Sequence, residues 1–359
     1  MSAVHTKSSA RVFVPAALVA AALLAVGCVA SATHASSARP HAPANRVYWG
    51  AQIGAHLTGT DAPWSKRATA TFERMTRKRV SLLQFSSPWA DCRRGRCEFY
   101  PFPRPAFDIV RKHGAIPVFG WASYAVPMLE MRRFYRLSAI AQGRYDGYVR
   151  QWARDAKRWG HPFFLRFNWE MNGDWFPWSE GVNGNRPGDF VKAWRHVHDV
   201  FAAVGAKKVT WMWCPNADYA GSGTPMRELY PGDAYVDWTC IDGYNRGKPW
   251  KSFAAIYEST YDLLRGLAPT KPIAVAEVAS TEKGGSKAGW IARMFRDLPI
   301  RFPKVRALVW FEKYDSRMDW PIETSKSAKA AFRRGIGSPV YVANRFKSLE
   351  GGRIRPLVR

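Results

Sequence analysis

The sequence predicts a (β/α)8 TIM barrel, an α/β fold, as a single catalytic domain. Eight short apolar runs, rich in β-branched and aromatic residues, recur along the chain. Longer amphipathic stretches separate them, and the whole pattern fits the usual extent of such a barrel with insertions. The runs are RVYWGAQIG (46–54), VSLLQFSS (80–87), AIPVFGWAS (115–123) and FFLRFNWE (163–170), then VTWMWCPN (209–216), VDWTCIDGYN (236–245), PIAVAEVAS (272–280) and VRALVWFEKY (305–314). They are apolar almost throughout rather than alternating, as parallel strands covered on both faces must be. The intervening GDFVKAWRHVHDVFAAVG (188–205) and SFAAIYESTYDLLRGL (252–267) repeat their apolar residues at helical spacing. A doubly wound open sheet is the competing arrangement. It usually carries a Gly-rich phosphate turn after an early strand, and the sequence has none.

The barrel is assigned to residues 46–336. Ahead of it, Lys7 and Arg11 precede the run VFVPAALVAAALLAVGCVA, and small-x-small sites follow. This reads as a signal peptide over 1–35, with a linker over 36–45. The expected product is a secreted, extracellular protein. Lipid attachment at Cys28 and an uncleaved membrane anchor are the alternatives. Residues 337–359 form a basic tail, and the sequence leaves open whether it packs on the barrel or hangs free.

The chain has 359 residues, 47% of them hydrophobic, with 17 Trp, 14 Tyr and 20 Phe. This is ample for a large core. The formal charge of +26 suits an anionic partner, but the basic residues are spread along the chain and no nucleic-acid-binding motif accompanies them. Nucleic acid is therefore not expected. Non-specific binding to anionic cell wall is the reading of the charge, and the chain is expected to be a monomer. In CRRGRC (92–97), Cys92 and Cys97 flank a short loop that a disulfide would close in an oxidising compartment. Cys214 and Cys240 lie in apolar runs and are expected to be buried thiols. The cysteines and histidines show no zinc-ligand spacing, so no metal site is expected.

Chemistry in such barrels gathers at the C-terminal ends of the strands. The fourth run ends in Asn168-Trp169-Glu170, the sixth in Asp242-Gly243-Tyr244-Asn245, the seventh carries Glu277, and the eighth ends near Trp310-Phe311-Glu312. Glu170 and Glu277 thus face each other across the barrel mouth. Two opposed carboxylates are what glycoside hydrolysis requires: one protonates the leaving oxygen and the other attacks the anomeric carbon. The stretch FNWEMNGDWFPW (167–178) surrounds Glu170 with rings. Aromatic faces suit the apolar faces of sugars, and they desolvate the acid, raising its pKa and keeping it protonated. The expected partner is a polysaccharide. The expected substrate platforms include Trp121, Trp169, Trp175 and Trp178.

The segment YDGYVRQWARDAKRWGHPFFLRFNWEMNGDWFPW (145–178) resembles the acid/base region of glycoside hydrolase family 26, the β-mannanase family. VDWTCIDGYN, PIAVAEVAS, VRALVWFEK and MDWPIETS follow in that family's order, and E-M-N-G-x-W-F-x-W is the most specific piece. The resemblance runs from about residue 46 to 336. It implies a retaining, endo-acting barrel without a cofactor, acting on β-1,4-mannan or glucomannan. Relatives within the family act on mixed-linkage β-glucan or β-1,3-xylan. A polysaccharide-binding barrel without catalysis is the non-enzymatic alternative. By match, Glu170 is the acid/base, Glu277 the nucleophile, Tyr244 a donor to that nucleophile and Arg166 a neighbour of both acids. Trp310 is the floor under the reacting sugar, and Trp175 stacks a sugar across the cleavage point. The chain departs from the family at Trp169, where the mannanases usually carry His.

Overall fold

The computed structural model describes residues 45–93, 96–128, 134–217, 221–315 and 318–358. The signal-peptide reading, Cys28 and the linker up to residue 44 lie outside them. No helix among the described residues is long and apolar enough to cross a membrane.

Among the described residues ten strands form one sheet, and eight of them, all parallel, close into a barrel. The barrel strands are β1 (Val47–Ile53), β2 (Leu82–Asp91), β4 (Ile116–Val126), β5 (Phe163–Phe167), β6 (Val209–Trp213), β7 (Trp238–Asn245), β8 (Ile273–Ser280) and β9 (Val305–Glu312). Each lies within a few residues of its predicted run. Two short strands sit outside the ring: β3 (Glu98–Phe99) pairs antiparallel with β2, and β10 (Tyr341–Val342) pairs parallel with β1. The barrel closes where β1 meets β2, through Gly50 opposite Leu82 and Ala51 opposite Leu83. A Cβ on Gly50 would stand 2.0 Å from the Leu82 carbonyl oxygen, so only glycine lets the two backbones approach.

Helices α1 (Lys66–Thr76), α2 (Arg104–His113), α3 (Leu137–Ala141), α4 (Asp146–Trp159), α5 (Asp189–Val204), α6 (Phe253–Leu267), α7 (Lys287–Arg301) and α8 (Lys326–Ile336) surround the barrel. Four of them start on a serine whose side chain accepts an N–H three residues on: Ser65, Ser252, Ser286 and Ser325. Such caps satisfy a donor that the helix itself leaves free.

Side-chain alternation divides the apolar residues into two sets. Tyr48, Leu82, Val118, Phe164, Met212, Trp238, Ala274 and Val309 fill the barrel interior. Trp49, Leu83, Phe119, Leu165, Trp211, Ile241, Val275 and Leu308 pack outward against the helices. The basic tail belongs to the first set. Phe346 and Ile354 cap the interior at the N-terminal ends of the strands. There Ile354 N–H donates to Thr210 Oγ1 at 2.7 Å, and its carbonyl accepts from Trp238 Nε1 at 2.8 Å.

Cys92 and Cys97 form a disulfide. Cys214 and Cys240, expected as thiols, are also joined, tying the end of β6 to β7 inside the barrel. Both side chains point inward from adjacent parallel strands, with Cα atoms 4.4 Å apart. That is close enough to bridge. The sequence hid the pair because it depends on both residues sharing one face.

Candidate active site

At the C-terminal mouth, opposite the tail, a cleft of about 570 Å³ opens between the loops. β5 brings Arg166 into it, facing inward one turn of the pleat beyond Phe164. The strand ends at Phe167, and the next residues leave regular geometry. Asn168 and Glu170 take left-handed backbone angles, φ 46° and 54°. Such angles are uncommon for non-glycine residues and cluster at functional sites. Asn168 is locked by Ser123, accepting from its N–H at 2.9 Å and donating to its Oγ at 2.8 Å. The turn that follows swings Glu170 over the barrel.

Glu277 arrives by a different device. The β8 ladder slips its register between Val275 and Val278. Val275 and Val278 both pack outward, so Ala276 and Glu277 share the inward side. A bulge of this kind re-aims a side chain, here placing a carboxylate at the cleft floor.

The carboxylate oxygens of Glu170, Glu277 and Asp242 come within 4.8 Å of one another. Their partners differ. Glu277 Oε1 accepts from Arg166 Nη1 at 2.8 Å and from Gln84 Nε2 at 3.3 Å, while Oε2 accepts from the Tyr244 hydroxyl. Arg166 Nη2 pairs with Asp242. The Arg166 guanidinium is therefore spent on Glu277 and Asp242. Among the described residues, the hydrogen-bond donors to Glu170 are neutral, Asn216 Nδ2 at 2.6 Å and Trp175 Nε1 at 2.8 Å. Burial, reinforced by the charge of Glu277, pushes the Glu170 carboxyl up to about 7. One acid thus holds its proton near neutrality beside another into which three donors converge, the division of labour that an acid and a nucleophile need.

Of the predicted residues, Arg166, Trp169, Glu170, Trp175, Tyr244 and Glu277 line the cleft. Three do not. Trp310 points outward and meets Phe332 of α8 at 5.2 Å between ring centroids, because alternation along β9 turns Ala307, Val309 and Phe311 inward. Phe311 is the ring that lines the cleft. Trp121 likewise faces the helices, 4.7 Å from the ring of Trp152 on α4, while its neighbour Gly120 lines the cleft. Trp178 is fully buried and donates to the Trp169 carbonyl at 2.7 Å. It supports the aromatic loop from beneath.

Sequence reasoning passed over Gln84, Asn216 and Asp242 as participants. Asn216 is held in place by Asn172, which accepts from its N–H at 2.8 Å and donates to its carbonyl at 2.9 Å. Position alone did not single them out: Gln84 shares its run with three serines, and Asn216 closes the fifth run.

The family described as Glycosyl hydrolase family 26 matches residues 119–335. Endoglucanase H of Acetivibrio thermocellus is 34% identical over 297 residues, covering 80% of this chain and 31% of that protein. A mannan endo-1,4-β-mannosidase of Bacillus subtilis is 23% identical over 230 residues, covering 62% of this chain and 55% of that protein. The chain thus spans about a third to a half of these relatives' length. Among solved structures, a double mutant of Cellulomonas fimi endo-β-1,4-mannanase superposes with a TM-score of 0.63 at 15% identity, covering 86% of this chain and 75% of that one.

Proposed function

Because this chain belongs to glycosyl hydrolase family 26, we propose that it is a retaining endo-β-glycanase cutting β-1,4-linked mannose- and glucose-based polysaccharides by double displacement. The observation that carries this reading is the asymmetric pair Glu170 and Glu277. Retaining enzymes hold their two carboxyl groups ~5–5.5 Å apart, inverting ones ~6.5–9.5 Å. With one oxygen of each group within 4.8 Å of the other, the pair falls on the retaining side of that division.

In this reading Glu170 protonates the departing glycosidic oxygen while a Glu277 oxygen attacks the anomeric carbon. The glycosyl ester that forms is then opened by water, from which Glu170 takes a proton. Arg166, Gln84 and Tyr244 fix the attacking carboxylate. Trp169, Trp175 and Phe311 offer flat apolar faces to the sugars on either side. Two features favour substrates beyond pure mannan: Trp169 stands where the mannanases carry His, and the 34% identical relative is an endoglucanase.

We also propose that the chain is exported. Two disulfides suit an oxidising compartment, and the mass of the mature N-terminus would report cleavage of the leader.

Replacing Glu277 with Ala removes the nucleophile. Hydrolysis of polysaccharide should be lost, and azide or formate should partly restore cleavage of an activated aryl β-glycoside, giving product of inverted configuration. Undiminished polysaccharide turnover by the variant would place the chemistry on other residues.

A further inference from the structure

Beside the cleft, the first and last loops of the barrel mouth meet around three residues that the sequence keeps far apart. His56 lies in the single-turn helix Ala55–Leu57 that follows β1. Glu312 ends β9, and Glu323 sits in the turn Ile322–Thr324 ahead of α8. Because β1 pairs with β9, these segments are neighbours. Alternation turns Phe311 into the cleft and Glu312 away from it, and Glu312 is fully buried. Its Oε2 accepts from Ile322 N–H at 3.0 Å. Its Oε1 and Glu323 Oε2 are buried, and among the described residues no donor reaches them except a proton that the two carboxyl groups share. Glu323 Oε1 meets His56 Nε2 at 2.9 Å. One ligand atom from each of the three residues lies within 4.8 Å of the others.

The nearby ammonium of Lys287 does not answer these oxygens. Its three hydrogens point to the carbonyls of Asp319 and Pro321, each at 2.6 Å, and to Thr324 Oγ1 at 3.0 Å. Two buried carboxyl groups that face each other must share either a proton, which burial favours on Glu312, or a cation, and an imidazole completes a set that suits the cation. We propose that His56, Glu312 and Glu323 bind one divalent transition-metal ion of the Zn2+ class, which clips the β1 loop to the segment after β9. Zinc holds imidazole nitrogen and carboxylate oxygen at ~2.0–2.2 Å, so tetrahedral ligand atoms stand ~3.4 Å apart. Small side-chain movements bring the three atoms to that spacing. The imidazole selects against Ca2+ and Mg2+, which take oxygen ligands. Residues far apart in the chain could not reveal the set through ligand spacing.

The test uses the full chain without a histidine tag, stripped with EDTA and titrated with ZnCl2 by calorimetry and thermal melting. The wild type should bind one Zn2+ more than His56→Ala or Glu323→Gln. At a hundredfold excess over its Kd, zinc should raise the melting midpoint by about 5 °C, and both variants should lose that gain. The acids of the cleft form a second cluster, so Glu170→Gln is titrated alongside and should keep the extra zinc. Equal zinc stoichiometry in wild type and His56→Ala would overturn the site, as would absence of uptake, the outcome expected if the two carboxyl groups share a proton instead. Loss of the extra zinc in Glu170→Gln would move the ion to the cleft. An equal melting shift with CaCl2 would overturn the class of ion.

Discussion

Glu170 is 6% exposed, and its proton is held by burial first and by the charge of Glu277 second. This has two consequences of opposite value to the protein. In the proposed mechanism the leaving group needs a protonated Glu170, so the rate should fall as pH rises through about 7. Glu170→Gln should abolish that basic limb on substrates with good leaving groups. A variant whose rate still declines around neutrality as the wild type does would remove Glu170 from the acid role. For stability, the folded pKa exceeds the unfolded value near 4.5. The folded state therefore binds the proton more tightly, and stability present below about pH 4.5 is lost as pH rises through about 7. Gln stays neutral but keeps only one acceptor for its two donors, Asn216 and Trp175. At pH 8, urea unfolding should find Glu170→Gln more stable by about 2 kcal/mol. Equal or lower stability there would mean that the buried charge is not strained. Trp169 sets a second residue-level test. Its indole only donates hydrogen bonds, and it packs against Gly120 with Arg166 5.4 Å from its ring. Trp169→His should raise the mannan-to-glucan ratio of kcat/KM about tenfold. A wild type already favouring mannan more than a hundredfold would contradict this reading.

Among the elements, closure of the barrel depends on a contact that tolerates no side chain. Gly50 of β1 packs against the Leu82 backbone of β2, both partners being backbone or Cβ atoms with nowhere to retreat. Gly50→Ala should therefore cost at least about 3 kcal/mol, read as a lowered urea midpoint. A change under about 0.5 kcal/mol would show that β1 and β2 separate freely. The strands themselves were legible because both faces are buried, which leaves eight apolar runs in the chain. What the runs could not show is which face each residue takes. The last run reads VWFE, and only counting pairs back through Ala307 and Val309 turns Phe311 rather than Trp310 toward the cleft. On β8 even counting fails, since the bulge puts two successive residues, Ala276 and Glu277, on the inward side. Glu277 was found by its chemistry, as an acid in an apolar strand. Gln84 and Asn216 were passed over because neutral polar groups in a strand signal nothing until their partners, Glu277 and Glu170, stand opposite.

At the scale of the molecule, one end of the barrel carries the candidate site and the other is sealed. The tail crosses the N-terminal ends of β1, β6 and β7, where Tyr48, Thr210 and Trp238 stand. Beyond the contacts of Ile354, the Arg355 carbonyl accepts from the Tyr48 hydroxyl at 3.0 Å and Arg353 pairs with Asp237 at 2.8 Å. Closer to the body, Arg111 on α2 holds the Leu349 carbonyl at 2.9 Å. The tail thus acts as a lid on the barrel interior, and its basic composition concealed two apolar anchors, Phe346 and Ile354. Removing residues 345–359 would expose the faces that these anchors cover, worth ~1.5–3 kcal/mol each. It would also take the acceptors from Tyr48 and Trp238, at ~1–3 kcal/mol for each donor left unpaired. Water entering the open end recovers part of the second loss but none of the first. The melting midpoint should therefore fall by about 10 °C or more, at ~2–4 °C per kcal/mol for a domain of this size. Because Glu170 and Glu277 sit at the opposite mouth, kcat/KM at 25 °C should change by less than about twofold in the fraction that stays folded. An unchanged melting midpoint would show that the barrel seals without the tail. A large loss of kcat/KM at full folding would show that the two ends are coupled through the interior layer of Phe164, Met212 and the Cys214–Cys240 bridge, which lies directly beneath Arg166.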